Sequence, residues 1–188
     1  MRQEQNGCVG NLIYTGITSL DGYINDVHGN FDWSMPDAQV HQFINDLERP
    51  VGTYLLGRRM YEVMSVWDVM PADPDSPIMN DYAEIWRAAE KIVFSASLAE
   101  VTAPRTRLER IFDVDAVRAL PGDVSIGGAT LAAEALEAGL VDEFRMFVNP
   151  IIVGGGTSYF PLGVTVPLDL VEQRRFDNGV VFLRYRRV

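Results

Sequence analysis

Short continuous apolar runs alternate along the chain with longer stretches whose apolar positions recur every three or four residues. The first pattern predicts buried strands and the second amphipathic helices. Residues 8–20, CVGNLIYTGITSL, are rich in β-branched and apolar side chains and predict a buried strand. Residues 21–33, DGYINDVHGNFDW, carry Gly22, Gly29 and several Asn and Asp, which predicts a loop. Val40, Phe43, Ile44 and Leu47 stand at helical spacing behind Pro36 and Asp37, so residues 35–48 predict a helix stopped by Pro50, with Asp37 as its cap.

The alternation continues. Strands are predicted at 51–57, 91–97, 123–128 and 142–154, with an edge strand at 106–111. Helices are predicted at 58–67, 78–90, 113–120 and 129–139, with a turn-rich loop at 71–77. Asn178-Gly179 between two apolar-rich runs predicts a two-residue hairpin near the C-terminus. Strands alternating with helices, closed by a hairpin, define a mostly parallel α/β sheet with an antiparallel edge. At 188 residues the chain is expected to form one domain, 1–188, with residues 1–8 as a flexible N-terminus.

Charge narrows the partners. Sixteen Lys and Arg against 26 Asp and Glu give a net charge of −10, which disfavours nucleic acid and anionic membrane surfaces. An anionic ligand here needs local donors that work against the global field. Cys8 is the single cysteine, so no disulfide forms within the chain and a reducing cytoplasm is expected.

The candidate chemistry sits where predicted strands end. In VSIGGATLAAEAL a strand runs into Gly127, Gly128, Ala129 and Thr130 at a helix start, followed by Leu131. The first N–H groups of a helix lack internal partners and lie at its positive end, and small residues let a phosphate approach them. Gly57 repeats the arrangement, with Arg58 and Arg59 entering the next helix. Arginine there opposes the helix dipole by roughly 0.3–1 kcal/mol, which a bound anion would offset. Ser95 and Ser97 end a third strand. Each turn alone is equally a simple connection; three in one α/β sheet form a crevice suited to a dinucleotide. Asp21, beside Leu20, Tyr23 and Ile24, is the candidate catalytic residue facing substrate, hydrogen-bonding it or relaying a proton, with a pKa raised by burial as a general acid requires. Phe31 and Trp33 are placed to stack on a flat ring or to join the core, and His28 and His41 are expected at the surface. Residues 154–156, three glycines, are expected to bend the chain at the cleft wall rather than bind phosphate.

These pieces, in this order, resemble a known family. GITSLDGYI, LLGRRMYE, KIVFSAS, SIGGATLAAEALEAGLVDEFRMFVNPIIVGGGTSYF and the closing hairpin are similar to the dihydrofolate reductase-like superfamily, nearest the reductase domain at the C-terminus of the riboflavin-biosynthesis protein RibD. The resemblance implies a three-layer α/β/α fold, NADPH as cofactor, and hydride transfer to a small heterocycle. Reduction of 5-amino-6-(5-phosphoribosylamino)uracil is the family's typical step, dihydrofolate reduction is an alternative, and NADPH binding without turnover is a third reading. It also implies that Thr18, Gly57, Arg58, Arg59, Ser95 and Gly127 through Leu131 line the cofactor, while Ser19, Asp21, Trp33 and Pro150 border the substrate. A homodimer through the exposed hairpin edge fits both the family and the physics of unpaired strands. Two positions depart from the family's pattern: Thr15 stands where a Lys is common, and Ser95-Ala96-Ser97 stands where the strand usually ends in something like S-R-T, so that one possible phosphate ligand is missing at Ala96.

Overall fold

The computed structural model describes residues 10–188. In chain order the elements are β1 (Leu12–Thr18), α1 (Ala38–Glu48), β2 (Thr53–Gly57), α2 (Arg58–Met64), α3 (Val66–Val69), α4 (Pro77–Ala88) and β3 (Glu90–Phe94). There follow β4 (Thr106–Glu109), α5 (Val114–Arg118), β5 (Val124–Gly127), α6 (Ala129–Glu137), β6 (Glu143–Val148), β7 (Leu168–Arg175) and β8 (Val181–Arg187). The strands form one sheet of order β4-β3-β2-β5-β1-β6-β8-β7. The first six pair in parallel, and β6–β8 and β8–β7 pair antiparallel.

Alternation within the strands sends side chains to two faces, and each face has its own helices. Leu12, Tyr14, Leu55, Ile92, Val124, Ile126 and Phe144 pack under Leu131, Ala132, Ala135 and Leu136 of α6 and Val117 of α5. On the other face Tyr54 and Leu56 pack under Tyr82 and Trp86 of α4 and the residues of α2 and α3, and Phe147 and Phe182 pack under Val40 of α1. The result is the three-layer α/β/α arrangement. The central strands read as unbroken apolar runs because both their faces are buried.

Several boundaries moved, each for a local reason. Cys8, Val9 and the expected flexible segment 1–8 lie outside the described residues. Asp37 caps α1 as predicted, its carboxylate accepting from the Val40 N–H at 2.9 Å. The helix expected over 58–67 breaks at Ser65, whose hydroxyl donates to the Glu62 carbonyl and competes with the helical ladder. The strand expected over 91–97 ends at Phe94, and the one expected over 142–154 ends at Val148. Pro150 cannot donate to a ladder, and Gly154, Gly155 and Gly156 all hold positive φ. The hairpin loop spans residues 177–179 rather than two: the Phe176 N–H meets the Val180 carbonyl at 2.9 Å and the Gly179 N–H meets the Phe176 carbonyl at 3.1 Å. Gly179, at φ +88°, fills the left-handed position that such a loop requires.

His28 is exposed, as expected, but His41 is not a surface residue. Its ring is half-buried, edge-on to Trp67 at 6.1 Å and Tyr82 at 5.6 Å, and hydrogen-bonded to Asn45 Oδ1 at 3.0 Å. The histidine falls on the inner side of α1, where the helix meets α3 and α4.

Candidate active site

Five neighbouring parallel strands, β3, β2, β5, β1 and β6, end along one edge of the sheet. That edge gathers Ser95, Gly57, Gly127 and Gly128, Thr18 and Ser19, and Asn149 and Pro150. The helix after β2 lies on one face of the sheet and the helix after β5 on the other. Their starts therefore stand toward opposite faces at the strand ends, where open α/β sheets take ligands in a crevice.

Gly57 and Gly128 are the N-caps of α2 and α6, and neither start is capped by a side chain. The two turns touch: a Cβ built on Gly128 would lie 3.9 Å from the Gly57 nitrogen, and one on Gly57 would lie 3.8 Å from Leu131 Cβ. Gly128 holds φ +96°, which disfavours any side chain there. A Cβ on Gly127 would press on Met60 Cγ at 3.1 Å and Leu56 Cδ2 at 3.3 Å. Ala129 and Thr130 open the first turn of α6. The residues fit a pyrophosphate: two adjacent sets of unpartnered N–H groups, with bare backbone between them.

Arg58 and Arg59 are both exposed at the start of α2. Arg58 Nε meets Glu62 Oε1 at 2.7 Å, and its Nη1 donates to the Ser97 hydroxyl at 3.1 Å. Glu62 is thus an internal anion that offsets the unfavourable dipole of an arginine at this helix start. Ser95 is buried, and its hydroxyl accepts from the Ser97 N–H at 3.3 Å and the Leu98 N–H at 3.0 Å. It shapes the turn after β3, and Arg110 wraps that turn from below by donating to the Ser95 carbonyl at 3.0 Å. Glu62, Met60 and Arg110 were not legible as site residues, because only the folded chain brings them to this edge.

At the other end of the crevice, residues 19–26 run beside residues 149–159. The Asn149 N–H donates to the Thr18 carbonyl at 2.7 Å, the Leu20 N–H to the Ile151 carbonyl at 2.7 Å, and the Ile24 N–H to the Thr157 carbonyl at 2.9 Å. A Cβ on Gly156 would collide with the Asn25 carbonyl, so only glycine admits this closeness. Asp21 joins the two segments: its carboxylate accepts from the Val153 N–H at 3.2 Å and the Gly154 N–H at 2.8 Å. The Ser19 hydroxyl, with these N–H groups, holds the Asp21 carboxyl below the usual carboxylate range. The raised pKa expected for Asp21 is therefore reversed, because the residue is exposed and its charge is solvated by donors. Pro150 lies against the hairpin tip, 3.3 Å from a Cβ built on Gly179.

The segment is pinned from beneath as well. Tyr14 and Tyr159 stack with ring centroids 4.1 Å apart, and each hydroxyl donates to the other's carbonyl at 2.9 Å. Trp33 lies in a single 3₁₀ turn, Asp32–Ser34, before α1. Its indole Nε1 and the Thr18 hydroxyl are buried without a protein partner.

Thr15 and Glu48 meet away from this edge, between the sheet and α1. The Thr15 hydroxyl is 3.3 Å from Glu48 Oε1, and Tyr54, Ser125 and Arg145 face the same carboxyl. Burial pushes the Glu48 pKa up, and the Arg145 guanidinium only partly opposes it. Arg145 is already committed to Glu143 at 2.7 Å and to the Leu47 carbonyl at 3.0 Å. A separate cavity of about 300 Å³, lined by Arg49, Val51, Gly52, Glu84, Ile85, Ala88 and Ala89, opens at the opposite end of β2 and holds none of these groups.

Residues 124–182 match the RibD C-terminal domain family. The chain is 29% identical over 177 residues to the uncharacterized protein YyaP of Bacillus subtilis, covering 89% of each. Its structure is similar to that of a putative riboflavin biosynthesis protein from Shewanella, with TM-score 0.72 and 24% identity over 95% of this chain and 99% of that one. It is also similar to Enterococcus faecalis dihydrofolate reductase complexed with NADP(H) and RAB-propyl, with TM-score 0.61 and 16% identity over 95% and 97% of the chains. No helix among the described residues is long and apolar enough to cross a membrane.

Proposed function

We propose, for a chain that has the dihydrofolate reductase-like fold and carries the RibD C-terminal domain match over residues 124–182, that it is an NADPH-dependent reductase of a small heterocycle. The observation that carries this reading is the pair of uncapped helix starts at Gly57 and Gly128, in contact at the ends of adjacent parallel strands. When bound, NADPH supplies the hydride, and the protein supplies binding and orientation. Gly57, Gly127, Gly128, Ala129, Thr130 and Leu131 would hold the pyrophosphate. Arg58 and Arg59, with Ser95 shaping the facing turn, would hold the 2′-phosphate. Thr18 and Ser19 border the nicotinamide end, and Trp33 and Pro150 flank the substrate. Asp21 acts through the 153–154 N–H groups that it holds, keeping the wall of residues 149–158 against β1.

The riboflavin-pathway substrate, 5-amino-6-(5-phosphoribosylamino)uracil, and dihydrofolate are the first compounds to test. The experiment is a fluorescence titration with NADPH and NADH, followed by NADPH oxidation with a panel of pyrimidine and pterin substrates. NADPH binding with oxidation by at least one compound supports the reading. Tight binding without oxidation across the panel leaves an NADPH-binding module without turnover, and absence of binding overturns the reading outright.

The reading includes a homodimer in the cytoplasm. β7 is an edge strand with Leu170 54% and Val171 41% exposed, and unpaired edges of this kind are normally covered. A monomer by sedimentation at micromolar concentration refutes the dimer.

A further inference from the structure

The two segments that wall the β1–β6 end of the crevice share a feature that their positions make consequential. Residues 3–48 contain no Lys or Arg, and neither do residues 146–173. Within residues 19–35 and 149–158, the charged side chains are Asp21, Asp26 and Asp32. Asp21 and Asp26 are held below the usual carboxylate range, Asp21 by the Ser19 hydroxyl and the Gly154 and Val153 N–H groups, Asp26 chiefly by Asn30. Open apolar side chains stand among the neutral remainder: Leu20 is 64% exposed, Val27 68% and Ile152 70%. The two segments are adjacent, since the Leu20 N–H donates to the Ile151 carbonyl and a Cβ on Gly155 would touch Val27 Cγ1 at 3.0 Å.

The cations lie elsewhere. Arg58, Arg59 and Arg110 stand at the β2–β3 end, three to four strands away from β6. Arg145, on β6 itself, is buried against Glu143 under α1. Arg174 reaches the same edge of the sheet, but its guanidinium is stacked over Phe43 at 4.8 Å and Phe176 at 4.9 Å. Arg175 stands on β7, the outermost strand, two strands beyond β6. The crevice is therefore polarised along its length, cationic where it would meet a nucleotide phosphate and acidic or apolar at the other end.

We infer that the substrate end selects an uncharged, flat heterocycle bearing neither phosphate nor carboxylate, with Leu20, Val27 and Ile152 as the specificity-determining wall. Among the described residues a dianionic phosphate there meets carboxylates and no guanidinium, and like charges facing each other are an effective means of rejection. Two buried neutral groups, the Thr18 hydroxyl at the end of β1 and the Trp33 indole N–H, lack partners and add no cation to this end. The inference rests on the reductase reading for the location of the substrate, and it changes the substrate class that the riboflavin-pathway comparison implies.

The test compares a matched pair, 5-amino-6-(5-phosphoribosylamino)uracil and its dephosphorylated form, on the full chain with NADPH present. Equilibrium affinity is read by tryptophan fluorescence and turnover by NADPH oxidation. The neutral member is expected to bind at least about tenfold more tightly at low salt, with the gap narrowing in about 0.5 M salt as screening grows. Equal or tighter binding of the phosphorylated member overturns the inference. Ile152→Lys is expected to shift the affinity ratio toward the phosphorylated member by about fivefold, the effect of one added cation at partly screened range. An unmoved ratio in I152K overturns the placement of the wall. Failure of every compound to oxidise NADPH counts against the reductase reading, while the affinity ratio still decides the charge preference.

Discussion

Replacing Glu48 by Gln is expected to stabilise the protein at neutral and mildly alkaline pH. Glu48 is 4% exposed, on the last turn of α1, with one oxygen near Thr15 and the other, Oε2, buried without a partner. The Tyr54 hydroxyl that faces it also lacks a partner. Ionised, the carboxylate is desolvated and shares the field of Arg145 with Glu143, which takes the ion-pair contact at 2.7 Å. Desolvation outweighs the guanidinium, so the folded-state pKa is raised. A group raised on folding contributes stability that is fully present below its unfolded pKa, about 4.3, and is lost as pH rises through the folded value. Gln keeps the shape, removes the charge, and offers an N–H₂ donor to Tyr54. The gain is about 1–3 kcal/mol, the range for relieving a poorly satisfied buried polar group, or about 2–4 °C in Tm per kcal/mol for a chain of this size. Urea unfolding of wild type and E48Q at pH 8.5, 7 and 5 measures it. The advantage of E48Q should be largest at pH 8.5 and shrink toward pH 5. A variant less stable than wild type at pH 8.5 shows that attraction to Arg145 outweighs desolvation and refutes the reasoning.

Other expectations concern the crevice. Gly156→Ala puts a methyl into the Asn25 carbonyl at φ +132° and should separate the two wall segments; KM for substrate should rise more than about tenfold while NADPH affinity changes less than about threefold, the pattern of a localised strain of roughly 1–3 kcal/mol. Arg59→Ala and Arg58→Ala should each lower the NADPH-over-NADH preference, by about one to two powers of ten for a lost charge-assisted bond of roughly 1.5–3 kcal/mol; an unchanged ratio of dissociation constants in both rejects the 2′-phosphate assignment. Arg58 is held by Glu62, so Glu62→Gln should release it and tighten NADPH about two- to fivefold, while a weaker complex by fluorescence titration shows that Glu62 instead presets the guanidinium.

Much of the architecture was legible in local pattern. Apolar runs marked β1, β2, β3, β5 and β6, helical spacing marked α1, α4 and α6, and Asp37 announced its own cap. The glycines at 57, 127 and 128 marked the strand-to-helix turns, because a backbone that must enter a helix closely or hold φ +96° leaves its trace at one position. The errors share a cause. Ser65 broke a helix whose apolar pattern ran on, Asp177 joined a turn that Asn178-Gly179 alone made too short, and His41 was turned inward by α3 and α4.

The charge of a side chain is written in the sequence, but its ionisation and its target are set by neighbours distant along the chain. Asp21 is close to glycines 154–156 only because β1 and β6 are paired, and there it accepts backbone N–H groups instead of meeting an apolar wall. Arg58 is answered by Glu62 and Ser97, and the Glu48 carboxyl is buried between α1 and the sheet. By itself the sequence determined the elements and the turns, since hydrophobic period and backbone freedom act over a few residues. Only the tertiary structure decided which helix starts touch, which carboxylate is desolvated, and which end of the crevice carries the cations, because Coulomb and solvation energies depend on distances that the folded sheet creates.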